Sequence, residues 1–517
     1  MTEFVDNLDI LQIADQLGKF FNSGKIGIEK ESLRVFGTKI SKESHPSQLG
    51  SALCNKYITT DFSEAQIELI TPPFEYKKDV LNFLDEIHHF TFSNINNDIL
   101  WPFSMPPTIE STNDIPIANY GTSNMGRFKE IYRRGLAYRY GREMQSISGI
   151  HINYSLPLMI WEKNLLGDKN SEHNFRSNSY FRMLRNIFRM NWLILYLFGA
   201  SPIVTKNLIK EDIESFKRLE DNIYFLPFAT SLRMSNLGYQ NSSRLNLNPS
   251  LNSIDEYISD LNKATNTVHK DFSILESQKT SKHRQLNSNI LQIDDEYYAV
   301  ARPKSNESLN KKLINKLKTK GVNYIELRSI DLNPFNRVGI DRETLLFIEI
   351  FFIYSFSKAS EPIKKDEQLA IFRNDLAVAK YGRQPGLKLH KGGNQVILKD
   401  WANEVIDEMH SIVETTDLFN KDEYIESINL MKKRVNNPSE TPSAKLIQEI
   451  LDKKIRFVDF GKSLGESYKD YYLKINKNEN SNWDEFEKES NKSLAKQLEL
   501  ENDSKSFEDY KEDYFSE

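Results

Sequence analysis

Five separated stretches of this chain alternate apolar side chains with polar ones at a period of two, and their polar positions hold a surplus of carboxylates. A β-strand sends successive side chains to opposite faces, so residues two apart share one. In IGIEKESLRV (26–35), Gly27, Glu29 and Glu31 lie opposite Ile26 and Ile28. In EAQIELIT (64–71), Glu64, Gln66 and Glu68 lie opposite Ala65, Ile67 and Leu69. QSISGIHINYSLP (145–157) sets Gln145, His151, Asn153 and Ser155 against Ile150, Ile152 and Tyr154. ATSLRMS (229–235) alternates Ser231, Arg233 and Ser235 with Leu232 and Met234, and NYIELRSI (323–330) alternates Glu326 and Arg328 with Ile325 and Leu327.

For any one strand, an antiparallel sheet with a wetted face accounts for the pattern. Five together ask for more. Glu29, Glu31, Glu68 and Glu326 on one sheet repel unless cations sit among them. An oxygen-rich set with one imidazole suits a hard divalent ion, Mg²⁺ or Mn²⁺, rather than structural zinc. Arg233 and Arg328 add fixed charge that grips carboxylate or phosphate in a fork. Carboxylate-held metal plus Arg is the equipment of phosphoryl transfer from a nucleotide. There is no Walker P-loop, kinase Gly-rich loop or Rossmann fingerprint, and KGGNQ (391–395) reads as a turn.

Composition narrows the class further. At 517 residues and 39% hydrophobic, the chain holds enough for a sizeable core. Lys+Arg 68 against Asp+Glu 73 gives −5, which argues against nonspecific nucleic-acid binding. The acidity sits mostly in the tail: from Lys474 to Glu517 the net charge is −6, leaving the rest near +1. One cysteine, Cys54, excludes an internal disulfide or a Cys-based metal site and suits a reducing cytoplasm. The start lacks the pattern of a signal peptide, and the most apolar runs, 191–204 and 345–356, fall short of the ~20 residues of a membrane helix. They read as buried core helices, so the expectation is a soluble protein.

Helical spacing appears at 4–22, 77–94 and 173–200, and strands at 25–35, 64–71, 144–156, 229–235, 288–301 and 322–330. A basic, aromatic-rich segment spans 121–141, and the pattern is mostly helical from about 341 onward. The predicted organisation is a catalytic core over 1–360, a helical region over 361–473, and a charged tail over 474–517, helical or disordered.

Nine motifs in order give this pattern a relative: GIEKESLRV, HPSQLGSAL, YITTDFSEAQIELITP, WPFSMPP, YGTSNMGRFKEIYRRGL, QSISGIHINYSLP, ATSLRMSNLGY, NSNILQIDDEYYAVARPK and YIELRSIDLNPF. Together they closely resemble the bacterial type 1 glutamate–cysteine ligases over roughly residues 10–390. The resemblance implies an α+β fold, a curved, mainly antiparallel, glutamine-synthetase-like sheet forming a funnel surrounded by helices. It also implies a reaction. ATP phosphorylates the γ-carboxylate of L-glutamate, and the amine of L-cysteine attacks the acyl phosphate, giving γ-glutamylcysteine, ADP and phosphate, the first step of glutathione biosynthesis.

Carried over by position, the resemblance makes Glu29, Glu31, Asp61, Glu68, His151 and Glu326 the metal set, with Mg²⁺ or Mn²⁺ as cofactor. Arg328 would face the transferred phosphoryl group and Arg233 the glutamate. Phe62, Tyr132, Leu136, Gln145, Tyr239 and Tyr298 would line the cysteine pocket. Read from the residues alone, Asp61 also fits a turn or helix cap, Arg233 a plain salt bridge, and the aromatics and Leu136 core packing. Arg127, Lys129, Arg133 and Arg134 either steer anionic substrates or are simply solvated. The partners implied are small molecules acting on a cytoplasmic monomer, without nucleic acid or membrane. No ATP-grasp-like extension follows, so the expectation is a single-reaction enzyme. Two rivals stand beside this reading: a related carboxylate–amine ligase with another acceptor, and a non-catalytic relative.

Overall fold

The computed structural model describes residues 23–162, 169–209, 213–238, 247–277, 283–306, 312–416 and 420–516. The helix expected over 4–22 and the pocket residue Tyr239 lie outside them. The central sheet is built from β1 (Lys25–Phe36), β2 (Ile58–Thr60), β3 (Gln66–Ile70), β4 (Ile150–Ser155), β5 (Ala301–Lys304) and β6 (Tyr324–Ile330). These strands run antiparallel in the order β5–β6–β4–β1–β3–β2. Helices that support or flank it are α1 (Lys77–Asn94), α2 (Asn124–Tyr140), α3 (Lys169–Phe198), α4 (Arg342–Ser357), α5 (Trp483–Glu501) and α6 (Phe507–Ser516).

The register places the polar residues side by side. Glu29 sits opposite His151, Glu31 opposite Glu68, and Asn153 opposite Glu326. The other face is mainly apolar, Lys30 excepted, and Ile26, Ile28, Ile67, Ile150, Ile152, Ile325 and Leu327 are fully buried there. Against that face pack α3 and α4; Tyr154 of β4 stacks on Phe352 of α4 with ring centroids 4.7 Å apart. Burying a Leu- or Ile-sized side chain stabilises by about 1.5–3 kcal/mol, so this face fixes the sheet and leaves the polar face free for chemistry. The two long apolar runs are indeed core: α4 is buried nearly throughout, and its Glu349 is neutralised by Lys77 and by Tyr424, whose hydroxyl donates at 2.5 Å.

The sequence misplaces several segments. Residues 229–235 do not form a strand; Leu232–Met234 is a 3-10 turn. Its serines bond elsewhere instead of facing a ladder: Ser235 donates to the Leu232 carbonyl at 2.7 Å, and Ser231 to Asp331 at 3.0 Å. The strand expected over 288–301 is mostly a loop, with an isolated bridge of Asn289 to Val268 and a 3-10 turn at Asp294–Glu296, and pairing within the central sheet begins only at Ala301. Its acidic residues accept from backbone amides, Asp294 from Ile314 at 2.7 Å and Glu296 from Gln292 at 2.6 Å. Glu64 precedes β3, with its carboxylate taken by the amides of His45 and Asn119. Gln145 ends a short helix, Arg142–Gln145, before β4 starts. GTSNMGRFK proves to be a helix start, with Ser123 capping α2. The turn in KGGNQ holds, with Gly392 and Gly393 at positive φ between Lys388–Lys391 and Asn394–Ile397.

Candidate active site

Over the polar face of the sheet lies a cavity of about 430 Å³. Glu29, Glu31, Asp61, Glu68, His151, Glu326, Arg328, Arg233, Phe62, Tyr132, Leu136, Gln145 and Tyr298 all line it. Every expected site residue among the described ones therefore converges on one space.

The floor is charged and tightly bonded. His151 Nδ1 lies 3.3 Å from Glu29 and 3.4 Å from Glu326, and its Nε2 lies 3.4 Å from Glu31. Arg328 donates to Glu326 Oε1 at 2.9 Å, and Lys304 Nζ sits 3.0 Å from Oε2 of the same carboxylate. Asn153 Nδ2 donates to Glu29 at 2.8 Å, and the Gly149 amide to Glu31 at 2.8 Å. The alignment of β4 with β6 slips between Leu327 and Ile330, while the Arg328 amide continues the β5–β6 pairing by bonding to the Val300 carbonyl at 2.8 Å, and alternation keeps its side chain on the same face as Glu326.

Electrostatics divides the acids. Burial and then the Asp61 charge push Glu31 up to about 7, and burial with the Glu29 charge holds Glu68 well above the usual carboxylate range. Glu326 is held well below it: burial opposes this, but Arg328, Lys304 and His151 outweigh burial. Burial and Arg328 press His151 toward neutrality, yet Glu31, Glu29 and Glu326 win and raise it to about 9. A site that crowds carboxylates until some keep their protons is one prepared for added positive charge. Ligand atoms of Glu29, His151 and Glu326 fall within 4.8 Å of one another, close enough to share one ion. Mostly oxygen donors with one imidazole fit a hard divalent cation.

Arg233 is the most constrained cation. It is 1% exposed, with Nε donating to Asp331 at 2.8 Å and Nη2 to the carbonyls of Arg328 and Ile330. Asp331 is held in turn by Ser201, Ser231 and the Ala200 amide, so the guanidinium is fixed from behind while it lines the cavity. A salt bridge and a place at the site are thus compatible. Asp61 lies in the turn between β2 and β3, its amide bonded to the Gln66 carbonyl, and it caps no helix.

The basic run on α2 splits in two. Lys129 and Arg133 line the cavity, whereas Arg127 lies over the Phe507 ring and Arg134 pairs with Glu130. Sequence reasoning missed Arg302, Lys304 and Glu296, which also line the cavity. Arg302 and Lys304 alternate with Ala301 and Pro303, so a period-two signal was present, but the strand expected over 288–301 stops just before Arg302. For Asp331 and Glu296 no such signal existed, because their roles depend on partners about a hundred or more residues away.

The glutamate–cysteine ligase family model matches residues 9–378. The glutamate–cysteine ligase of Alcanivorax borkumensis is 39% identical over 500 residues, 95% of either chain, and that of Aliivibrio salmonicida is 39% identical over 100% of this chain and 99% of its own. Among solved structures, the glutamate–cysteine ligase of Francisella tularensis in complex with AMP aligns with a TM-score of 0.88 at 34% identity, covering 96% of this chain and 98% of that one. A bifunctional glutathione synthetase from Pasteurella multocida aligns at 0.70 and 25% identity, over 89% of this chain and 54% of that one. With this sheet, this floor of carboxylates and these relatives over nearly its full length, the chain belongs to the glutamate–cysteine ligase family.

Proposed function

We propose that the cavity joins the γ-carboxyl of L-glutamate to the amine of L-cysteine at the expense of ATP. The observation that carries this reading is the convergence, in one cavity, of a carboxylate–imidazole floor, two fixed guanidiniums and a wall of Phe62, Tyr132, Leu136 and Tyr298. In the first step a γ-carboxylate oxygen of glutamate attacks the terminal phosphorus of ATP, and ADP leaves. In the second the cysteine amine attacks the acyl carbon of the γ-glutamyl phosphate, loses a proton, and phosphate departs.

Arg328 suits the first step because its Nη1 is anchored on Glu326 and its body lies over the floor, where charge moves between carboxylate and phosphate. Arg233, locked by Asp331, suits recognition of a glutamate carboxylate at little entropic cost. Lys304 and Arg302 add charge for the polyphosphate at the β5 side. Glu29, Glu31, Asp61, Glu68, His151 and Glu326 would hold Mg²⁺ or Mn²⁺, which when bound neutralises phosphate oxygens. The aromatic wall with Gln145 suits a small side chain and excludes bulk water from the acyl phosphate. In this reading the enzyme works as a cytoplasmic monomer.

ADP release from the purified protein with ATP, Mg²⁺ and glutamate tests the proposal when cysteine, 2-aminobutyrate and ammonium are supplied separately. Turnover with cysteine above 2-aminobutyrate and none with ammonium is expected. Turnover with a different amine alone would replace cysteine as the acceptor, and no turnover with any acceptor would overturn the ligase reading.

A further inference from the structure

The acidic tail ends in α6, whose aromatic side pairs with α2. Phe507 is buried, and the Tyr514 ring centroid stands 4.6 Å from that of Phe128, with Tyr510 and Phe515 each at 6.1 Å from the same ring. The Arg127 guanidinium lies 4.5 Å from the Phe507 ring centroid. Polar ties bracket the contact. Asn124 donates to the Lys505 carbonyl at 2.7 Å, the Thr122 amide to Glu501 at 2.9 Å, and Lys312 to the Phe515 carbonyl at 3.0 Å. The tail thus reaches back more than 350 residues to grip the first two turns of one helix.

That helix is also a wall of the active site. Phe128 and Ile131 face α6, while Lys129, Tyr132, Arg133 and Leu136 line the cavity from the adjoining face. The far end of α2 is fixed separately, by Arg139, whose side chain is buried with Glu296 at 3.1 Å and also donates to the Asn287 carbonyl at 2.8 Å. A helix pinned at both ends holds its side chains within a fraction of an ångström. Releasing one end lets it tilt about the other.

We propose that α6 is a strap that positions α2, and through Tyr132 and Leu136 the pocket of the amine acceptor, making Phe507 and Tyr514 positioning residues for the second half-reaction. This rests on the ligase reading and deepens it. In that reading ATP and glutamate meet the floor and the Arg233 side, on elements other than α2, so the strap acts chiefly on the acceptor, with Lys129 and Arg133 the cavity cations that move with it.

The test uses the full chain, a chain ending at Asn502, Tyr514→Ala and Tyr514→Phe. Removing the strap is expected to raise KM for cysteine roughly tenfold while KM for ATP and for glutamate stays within about twofold, as expected for misplacement of a binding wall. Tyr514→Ala should follow the truncation and Tyr514→Phe the parent, because it is the ring rather than the hydroxyl that packs, tilted, against Phe128. Hydrogen exchange of α2 amides, read without substrate, should quicken at 124–132 and not at 136–140. Equal loss of affinity for all three substrates, or unchanged exchange in α2, would overturn the strap. Failure of the parent chain to use cysteine would instead overturn the ligase reading, and the exchange measurement would still decide whether α6 holds α2.

Discussion

Strand β1 carries buried charge on both faces, and the two faces handle it in opposite ways. On the front, Glu29 and Glu31 share His151, Arg328, Lys304 and Arg233 as nearby counter-charges beside a polar cavity. On the back, Lys30 lies between those two glutamates in sequence and points away from them, 4% exposed among Ile and Leu side chains. Its partner is His88, whose Nδ1 bonds the Leu84 carbonyl at 2.6 Å and so must carry the proton. The other nitrogen, Nε2, therefore accepts from Lys30 Nζ at 2.7 Å. Burial lowers Lys30 to about 7. The fit is close: a Cβ at Gly339, whose φ is +81°, would meet Lys30 Cε at 3.0 Å. Burying charge is tolerable where opposite charges share the site, and costly where only a neutral ring accepts it.

The largest effect should come from Glu326→Gln. It removes the negative charge common to Arg328, Lys304 and His151 and turns one acceptor oxygen into a donor, and turnover should fall by about a thousandfold or more while circular dichroism stays that of the parent. Near-normal turnover would remove Glu326 from the site. Next in size, Asp331→Asn unlocks Arg233. A KM for glutamate raised roughly tenfold to a hundredfold is expected, with a stability loss of about 2–4 kcal/mol by denaturant titration. A changed melting point with unchanged KM would make Arg233 purely structural.

Lys30→Met sharpens the comparison directly. The native amine has its folded pKa near 7, below its unfolded value, so the unfolded chain binds more protons between pH 7 and about 10.5 and stability rises with pH there. Methionine removes that slope, and at pH 7 the variant should be more stable by about 2–4 kcal/mol. A variant less stable at every pH would show that the bond to His88 outweighs the burial of the amine.

The front has the opposite sign. Glu31 near 7 and His151 near 9 are both raised, so their contribution to the metal-free fold is present at lower pH and is lost as pH rises through those values. In the Lys30→Met background, metal-free stability should therefore fall steadily from pH 6 to 9. The smallest effect follows from the same protons: Mg²⁺ binding at pH 7.5 should release about one to two protons, measured by calorimetry in buffers of different ionisation enthalpy. No proton release would mean that Glu31 and His151 do not bind the ion.

Alternation in five segments determined a good deal. In four of them, all but 229–235, it gave strands of the antiparallel sheet and the face on which Glu29, Glu31, Glu68, His151 and Glu326 gather, because side-chain direction in a strand is a local property of the backbone; the buried helices behind the sheet were legible from two apolar runs. The resemblance supplied what alternation lacks, chiefly the expected acceptor pocket, whose described members sit on two helices, a turn and a loop with no common period. Tertiary structure alone decided the rest. Arg233 reaches the cavity from a turn rather than a strand because Asp331, 98 residues on, holds its guanidinium. Lys129 and Arg133 face the site while Arg127 and Arg134 do not, although all four look alike in sequence. The tail, which composition reads as a charged helix or a disordered end, is helical and lies against α2 because its aromatic residues find Phe128 and Ile131 there. Local pattern fixes which way a side chain points; only the packed chain fixes what it meets.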